Sequence, residues 1–221
     1  MKLRDAATLL PLCCLAAACG GLSDDSPHGS SRRAPHYVDD FPARTPGGDV
    51  NVVVEIPAGT DAKWEVTKPE GELRWQFKNG VPRVVQYLGY PGNYGMIPRT
   101  ILPKSAGGDG DPLDVLVLGP AVARGSVIPV RVIGVLELLD SDERDDKLLA
   151  VALDTPLGDV TSLAELNARF PGVATIVQTW FENYKGVDQA GQPHMVAQGY
   201  GDVDRAEAIL QAAIEAYAAT H

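Results

Sequence analysis

Beyond residue 19 this 221-residue chain contains no cysteine; Cys13, Cys14 and Cys19 are its only three. A folded part without thiols has neither a disulfide nor a thiolate metal site, and thiol catalysis is excluded. Positive charge is also in short supply, with 19 Lys and Arg against 29 Asp and Glu and a net charge of -10. That is the wrong sign for holding nucleic-acid phosphates by bulk electrostatics, so a nucleic-acid partner is not expected. The apolar run at residues 6–18 is too short to span a bilayer. No internal repeat and no mid-chain linker divides the rest. What is present, 45% hydrophobic and 22% charged residues, is the balance of a soluble protein with one substantial core, which excludes disorder throughout.

Lys2 and Arg4 precede the 6–18 run in the order of a secretory signal. The run ends Leu15-Ala16-Ala17-Ala18-Cys19-Gly20, which resembles the lipobox of bacterial lipoproteins and would make Cys19 the lipidated first residue. Residues 20–46 are rich in Gly, Ser, Pro, Asp and Arg with little apolar periodicity, the composition of a flexible tether. The expected division is a signal peptide at 1–18, a tether at 19–48 and one domain at 49–221. The expected location is the bacterial cell envelope, facing the periplasm, with membrane contact only through a lipid anchor; a cytoplasmic location is the alternative.

Within the domain, residues 51–56 alternate as a strand carrying Glu55, and Pro57 ends it. In Lys63-Trp64-Glu65-Val66 the period of two puts Lys63 and Glu65 on one face and Trp64 and Val66 on the other. Residues 115–118, 127–139 and 148–153 are apolar, β-branched runs, the first two separated by Gly119-Pro120 and Gly125. Short strands with no helix between them predict an antiparallel barrel rather than a doubly wound sheet. The last third changes to helical spacing. Residues 162–169 form a short helix capped by Thr161 or Ser162, Pro171 interrupts, and Val173, Ile176, Val177, Trp180 and Phe181 recur as a second. Asp204 is placed to cap a final helix with Ile209, Leu210, Ala213, Ile214 and Tyr217 as its apolar stripe.

The segment Gly107-Gly108-Asp109-Gly110-Asp111-Pro112-Leu113-Asp114 has three acids in six positions and no base. Two like charges about 4 Å apart repel by about 1 kcal/mol in water and by more when partly buried, so a hard divalent cation is a natural partner; a solvated acidic turn fits the composition equally well. An EF-hand does not fit, since its glycine and acids fall at other positions. A second acidic group, Asp140, Asp142, Glu143, Asp145 and Asp146, follows the long strand and ends at Lys147. Glu55 and Glu65 are isolated strand acids. Tyr90 and Tyr94 bracket the turn Pro91-Gly92-Asn93, and Tyr184-Lys185 ends the Trp180 helix. Carboxylates, a few Lys or Arg and several phenols suit a small phosphate compound carried with Mg²⁺, which prefers a few carboxylates, retained waters and phosphate oxygens.

Six separated segments, VEIP around Glu55, KWE from Lys63, YPGNYG from Tyr90, DGDPLD from Asp109, the Asp140–Lys147 loop and WFENYK ending at Lys185, together resemble the family I soluble inorganic pyrophosphatases. The resemblance implies a mainly β, α+β fold: an OB-like five-stranded antiparallel barrel packed by C-terminal helices. It implies metal-binding roles for Asp109, Asp111, Asp114, Asp140 and Asp145, with Glu55 at a further metal and Glu65 in an outer site. Lys63, Lys147, Lys185, Tyr94 and Tyr184 would hold the phosphoryl groups, and Tyr90 would orient Asp111. The resemblance also implies a substrate arginine, which aligns best with Arg83 and has Arg74 as rival. Asp142, Glu143 and Asp146 fall outside these roles and are expected to be solvated.

The implied reaction is Mg²⁺-dependent hydrolysis of pyrophosphate to two phosphates by a homo-oligomer, Asp111 accepting the proton of the attacking water. The competing readings are an inactive metal- or ligand-binding lipoprotein and a broader phosphohydrolase of the envelope.

Overall fold

A computed structural model describes residues 33–102, 108, 110–141 and 143–221. Among these, the strands are β1 (Val50–Ile56), β2 (Trp64–Val66), β3 (Leu73–Trp75), β4 (Phe77–Lys78), β5 (Val81–Pro82), β6 (Asn93–Met96), β7 (Asp114–Leu118), β8 (Val127–Asp140), β9 (Glu143–Arg144) and β10 (Lys147–Ala152). Helices α1 (Leu163–Arg169) and α2 (Val173–Asn183) follow, then β11 (Met195–Gly201) and α3 (Val203–Ala218). The protein is mainly β with few helices, as expected. The proposed leader, Cys19 and Asp109 lie outside the described residues, as does Asp142.

The apolar runs become strands because both of their faces are covered. Along β7, Val115 and Val117 join one buried cluster while Leu116 and Leu118 join another; along β10, Leu148 and Ala150 join the first and Leu149 and Val151 the second. Helix α3 closes the first cluster with Ala206, Ile209, Leu210 and Ala213. Helices α1 and α2 close the second with Leu166, Val177, Trp180 and Phe181. Each of these larger side chains contributes about 1.5–3 kcal/mol through its burial. The period of two therefore sorts each strand's residues between two cores, and no polar face is left to interrupt the run.

The longest apolar run, β8, is the spine of the sheet. It pairs antiparallel with β1, β10, β11 and β9. With the pairings β1–β6, β6–β7 and β7–β10, the strands β1, β6, β7, β10 and β8 close a ring. One pairing departs from the all-antiparallel expectation: β10 runs parallel to β7, with Leu148 opposite Val115 and Val151 opposite Leu118. The reason is topological. The chain leaves β7, traverses β8, and turns back beside it, so β10 returns in the direction of β7.

Two further expectations are corrected. The compact unit begins at Ala34 rather than at residue 49. Val38 and Ala43 are buried, the Tyr37 N–H donates to the Gly71 carbonyl at 2.8 Å, and the Tyr217 hydroxyl donates to Asp39 at 2.5 Å. Isolated apolar residues in a polar stretch give no periodic signal, which is why this segment reads as tether. Helix α3 is capped by Asp202, whose carboxylate accepts the Arg205 N–H at 2.9 Å, while Asp204 lies in the first turn. The short helix is capped by Ser162 as expected.

Gly95 of β6 controls one local irregularity. Val54 pairs with Gly95 and Ile56 with Tyr94, so Glu55 is the extra residue of a β-bulge. A β-carbon at Gly95 would come within 1.9 Å of the Val53 carbonyl oxygen and 3.2 Å of the Glu55 nitrogen. Gly95→Ala is expected to lower stability by about 2–4 kcal/mol, whereas Gly47→Ala, with its nearest neighbour at 3.6 Å, stays within about 0.5 kcal/mol. Urea denaturation of both variants checks this; equal midpoints would show that the bulge tolerates a β-carbon.

Candidate functional site

The parallel pairing of β7 and β10 places the first residues of both strands, Asp114 and Lys147, side by side. Lys147 is only 3% exposed. Its ammonium donates at 2.5 Å to Asp114 and at 2.5 Å to Asp145, the residue two before it. Burial pulls the Lys147 pKa down, but Asp114 and Asp145 outweigh it, so the group is held charged with a raised pKa. Asp114 responds in kind: burial pushes its pKa up, and Lys147 and Lys63 more than reverse this. Burial, then Asp114, raise the pKa of Asp145 despite Lys147.

The alternation of sign continues outward. Lys185, after α2, pairs with Asp140 at the end of β8 and lies 4.0 Å from Asp145. On the other side Lys68 pairs with Asp111. A pocket of about 380 Å³ opens here, lined among others by Glu55, Lys63, Glu65, Tyr94, Asp111 and Asp114. These six were all singled out by sequence, and the fold draws them together from segments spread between positions 55 and 114.

Glu55 owes its position to the bulge. It is buried at 6% exposure, and one carboxylate oxygen accepts the Val66 N–H at 2.7 Å. Burial, then the charge of Asp114, push its pKa up to about 8 despite Lys63. Glu65, on β2, accepts from Gln76 at 2.7 Å. Gln76 in turn accepts from the Arg83 guanidinium at 2.5 Å, and the Arg83 carbonyl accepts the Lys63 N–H at 2.9 Å. Arg83 is thereby tied to two pocket residues. Arg74 instead pairs with its neighbour Glu72 and is 62% exposed.

An aromatic cluster packs behind Tyr94, which lines the pocket. The Tyr90 ring lies 5.0 Å from Tyr94 and 4.4 Å from Trp180, and Tyr184 stacks on Trp180 at 4.6 Å. Burial raises the pKa of all three phenols, so they stay protonated donors. The Lys63 ammonium lies 5.0 Å from the centroid of the Tyr94 ring. Asn93 fixes this loop: fully buried, its side-chain oxygen accepts the N–H groups of Ala58 and Val122 at 3.1 and 2.8 Å, and its amide donates to the Pro120 carbonyl at 2.8 Å.

Asp146 corrects the sequence reading. Expected in solvent, it is 5% exposed, pairs with Arg144 at 2.5 Å and accepts the Leu138 N–H at 3.1 Å. It braces the turn that presents Asp140 and Asp145. Glu143 is exposed as expected. Sequence reasoning also missed Lys68 and Arg124; the Arg124 guanidinium donates to the Glu55 carbonyl at 2.9 Å and lies 4.5 Å over the Trp64 ring.

Among the described residues no three His, Cys, Asp or Glu side chains form a ready metal cage. The donor set nonetheless fits a hard cation. It is made of carboxylate oxygens, two of which belong to mutually repelling Glu55 and Asp114, and Mg²⁺ is held by a few carboxylates with waters and phosphate oxygens rather than by an all-protein cage.

The sequence profile of the inorganic pyrophosphatases matches residues 52–218. The chain is 36% identical over 172 residues to an inorganic pyrophosphatase of Drosophila melanogaster, covering 71% of this chain and 50% of that protein. It thus spans about half the length of that curated relative. The solved inorganic pyrophosphatase of Schistosoma japonicum superposes with a TM-score of 0.75 at 30% identity, over 82% of this chain and 70% of the other. The truncated vacuolar soluble pyrophosphatase of Trypanosoma cruzi in complex with PPi gives a TM-score of 0.73 at 25% identity, over 85% and 77%.

The Glu55 carboxyl makes the metal-free protein sensitive to pH. Its folded pKa, about 8, lies above the unfolded value of about 4.3, so the folded state binds the proton more tightly and stability falls as pH rises between the two. Glu55→Gln removes this dependence. Its stability relative to the native chain, measured by urea denaturation with a chelator present, is expected to rise by about 2–4 kcal/mol from pH 5 to pH 8.5; a constant difference would contradict the burial of an ionisable group there.

Proposed function

Because this chain belongs to the inorganic pyrophosphatase family, we propose that it hydrolyses pyrophosphate to two phosphates with Mg²⁺ as cofactor. The observation that carries the reading is the convergence of Glu55, Lys63, Glu65, Tyr94, Asp111 and Asp114 on one pocket, continued by Lys147, Asp145, Lys185 and Asp140. That the Trypanosoma cruzi relative was solved with PPi supports the choice of substrate. The five-strand ring, with its parallel β7–β10 pair, is read as an OB-like barrel.

The roles divide by charge. Asp109, Asp111, Asp114, Asp140 and Asp145, with Glu55 and the outer Glu65, hold the metal. When bound, Mg²⁺ supplies Lewis-acid polarisation of phosphoryl oxygens and lowers the pKa of water. Asp111, more exposed than Asp114, accepts the proton of the attacking water. Lys63, Arg83, Lys147 and Lys185 meet the negative charge of the two phosphoryl groups, and the protonated hydroxyls of Tyr94 and Tyr184 donate to them. Tyr90 orients Asp111, a role that rests on its place in the YPGNYG segment.

Signal peptide, lipidated Cys19 and envelope location belong to the same reading, supported by the order Lys2 and Arg4, apolar run, Ala-Ala-Ala-Cys. An envelope enzyme of this kind scavenges phosphate outside the cytoplasm. Assembly into a homo-oligomer is supported by exposed Phe77, Val81 and Leu88.

Two outcomes are expected. Asp111→Asn keeps the fold and lowers pyrophosphate turnover by about 10²–10⁴-fold; near-normal turnover would remove Asp111 from the proton-accepting role. Metabolic labelling with palmitate marks the native chain but not Cys19→Ser, and an unlabelled chain in the soluble cytoplasmic fraction would sink the envelope assignment.

A further inference from the structure

Lys68 stands outside every role assigned above, yet it contacts the proposed proton acceptor. Its ammonium pairs with Asp111 and donates to the Gly110 carbonyl at 3.0 Å. Both partners remain about half exposed, at 47% and 53%, so the pair is reversible in a way that buried Lys147 is not. The base of Lys68 is fixed more firmly than its tip. Residues 67–72 close on themselves through the bonds Thr67 N–H to Glu72 carbonyl at 2.8 Å and Gly71 N–H to Thr67 carbonyl at 2.9 Å. The docked N-terminal segment clasps this loop, His36 bonding the Pro69 carbonyl at 2.8 Å and Tyr37 the Gly71 carbonyl at 2.8 Å. The loop is therefore a rigid mount for a long cationic side chain on the pocket wall.

We propose that Lys68 is an exchangeable counter-ion: it neutralises Asp111 before metal binds, yields Asp111 to the metal, and then turns to the anionic oxygens of pyrophosphate in the same pocket. The inference rests on the metal-site reading given above. A divalent cation brings more charge to Asp111 than an ammonium does and displaces it, while two cations cannot share one exposed carboxylate without repulsion. The displaced ammonium stays within reach of the pocket, because Lys68 itself lines it. Lys68 thereby acts as a positioning residue in the unloaded site and as a substrate ligand in the loaded one.

Exchange makes the two affinities move in opposite directions, which a merely structural role does not. In Lys68→Gln the first Mn²⁺, titrated alone against the full chain and followed by loss of the free-ion EPR signal, is expected to bind about three- to tenfold more tightly. At saturating Mg²⁺ the KM for pyrophosphate is expected to rise about three- to tenfold with a smaller change in kcat, and Lys68→Arg returns both toward the native values. Unchanged or weaker Mn²⁺ binding, or an unchanged KM, overturns the exchange. A native chain that takes up no Mn²⁺ overturns the metal-site reading itself.

Discussion

A buried ammonium, Lys147 between Asp114 and Asp145, is the interaction on which the site depends. It exists because β10 returns parallel to β7, which brings the starts of two strands, each preceded by an acidic segment, to the same end of the sheet. Leaving either carboxylate there without the lysine would place like charges together in a partly buried setting, at a cost of several kcal/mol. The lysine permits the acids to converge. Their convergence is in turn what makes a cation and a phosphate compound suitable occupants.

The rest of the site extends the same logic. Signs alternate from Asp111 and Lys68 across Asp114, Lys147 and Asp145 to Lys185 and Asp140, and acids remain in excess. Glu55 responds to that excess: the bulge permitted by Gly95 turns it inward, where burial and then the charge of Asp114 keep its carboxyl protonated, and so neutral, up to about pH 8. A divalent cation that binds these acids in the folded chain alone stabilises the fold by mass action. Tyr94 lines the pocket, and Tyr90, Tyr184 and Asn93 lie behind or beside it. They are neutral, so they add nothing to the charge imbalance, and Asn93, whose side chain bonds backbone groups, holds the loop that carries Tyr90 and Tyr94.

Much of this was legible in the sequence because it rests on periodicity and on clusters of one residue type. The strands at Glu55 and after DGDPLD, the long β8, the two-part helical region and its Ser162 cap follow from such local signals. What escaped did so for physical reasons. Strand β11, Met195–Gly201, mixes glycine and polar residues along its length and is defined by pairing with β8 rather than by its own pattern. Asp146 resembles its solvated neighbours until Arg144 and the Leu138 N–H take both of its oxygens. Lys68 lies 43 positions from its partner, and a lone lysine in a loop carries no signal of that contact. The segment from Ala34 is held by scattered long-range bonds, which composition does not reveal.

The central claim is that this concentration of acids, relieved by cations, serves hydrolysis of a phosphoric anhydride. The most direct test is phosphate release from pyrophosphate by the purified chain, with and without Mg²⁺, beside tripolyphosphate and a phosphate monoester. Rapid release from pyrophosphate that requires Mg²⁺ and greatly exceeds release from the other two is the predicted result. A folded protein that releases no phosphate in the presence of Mg²⁺, or that prefers the monoester, would contradict the account.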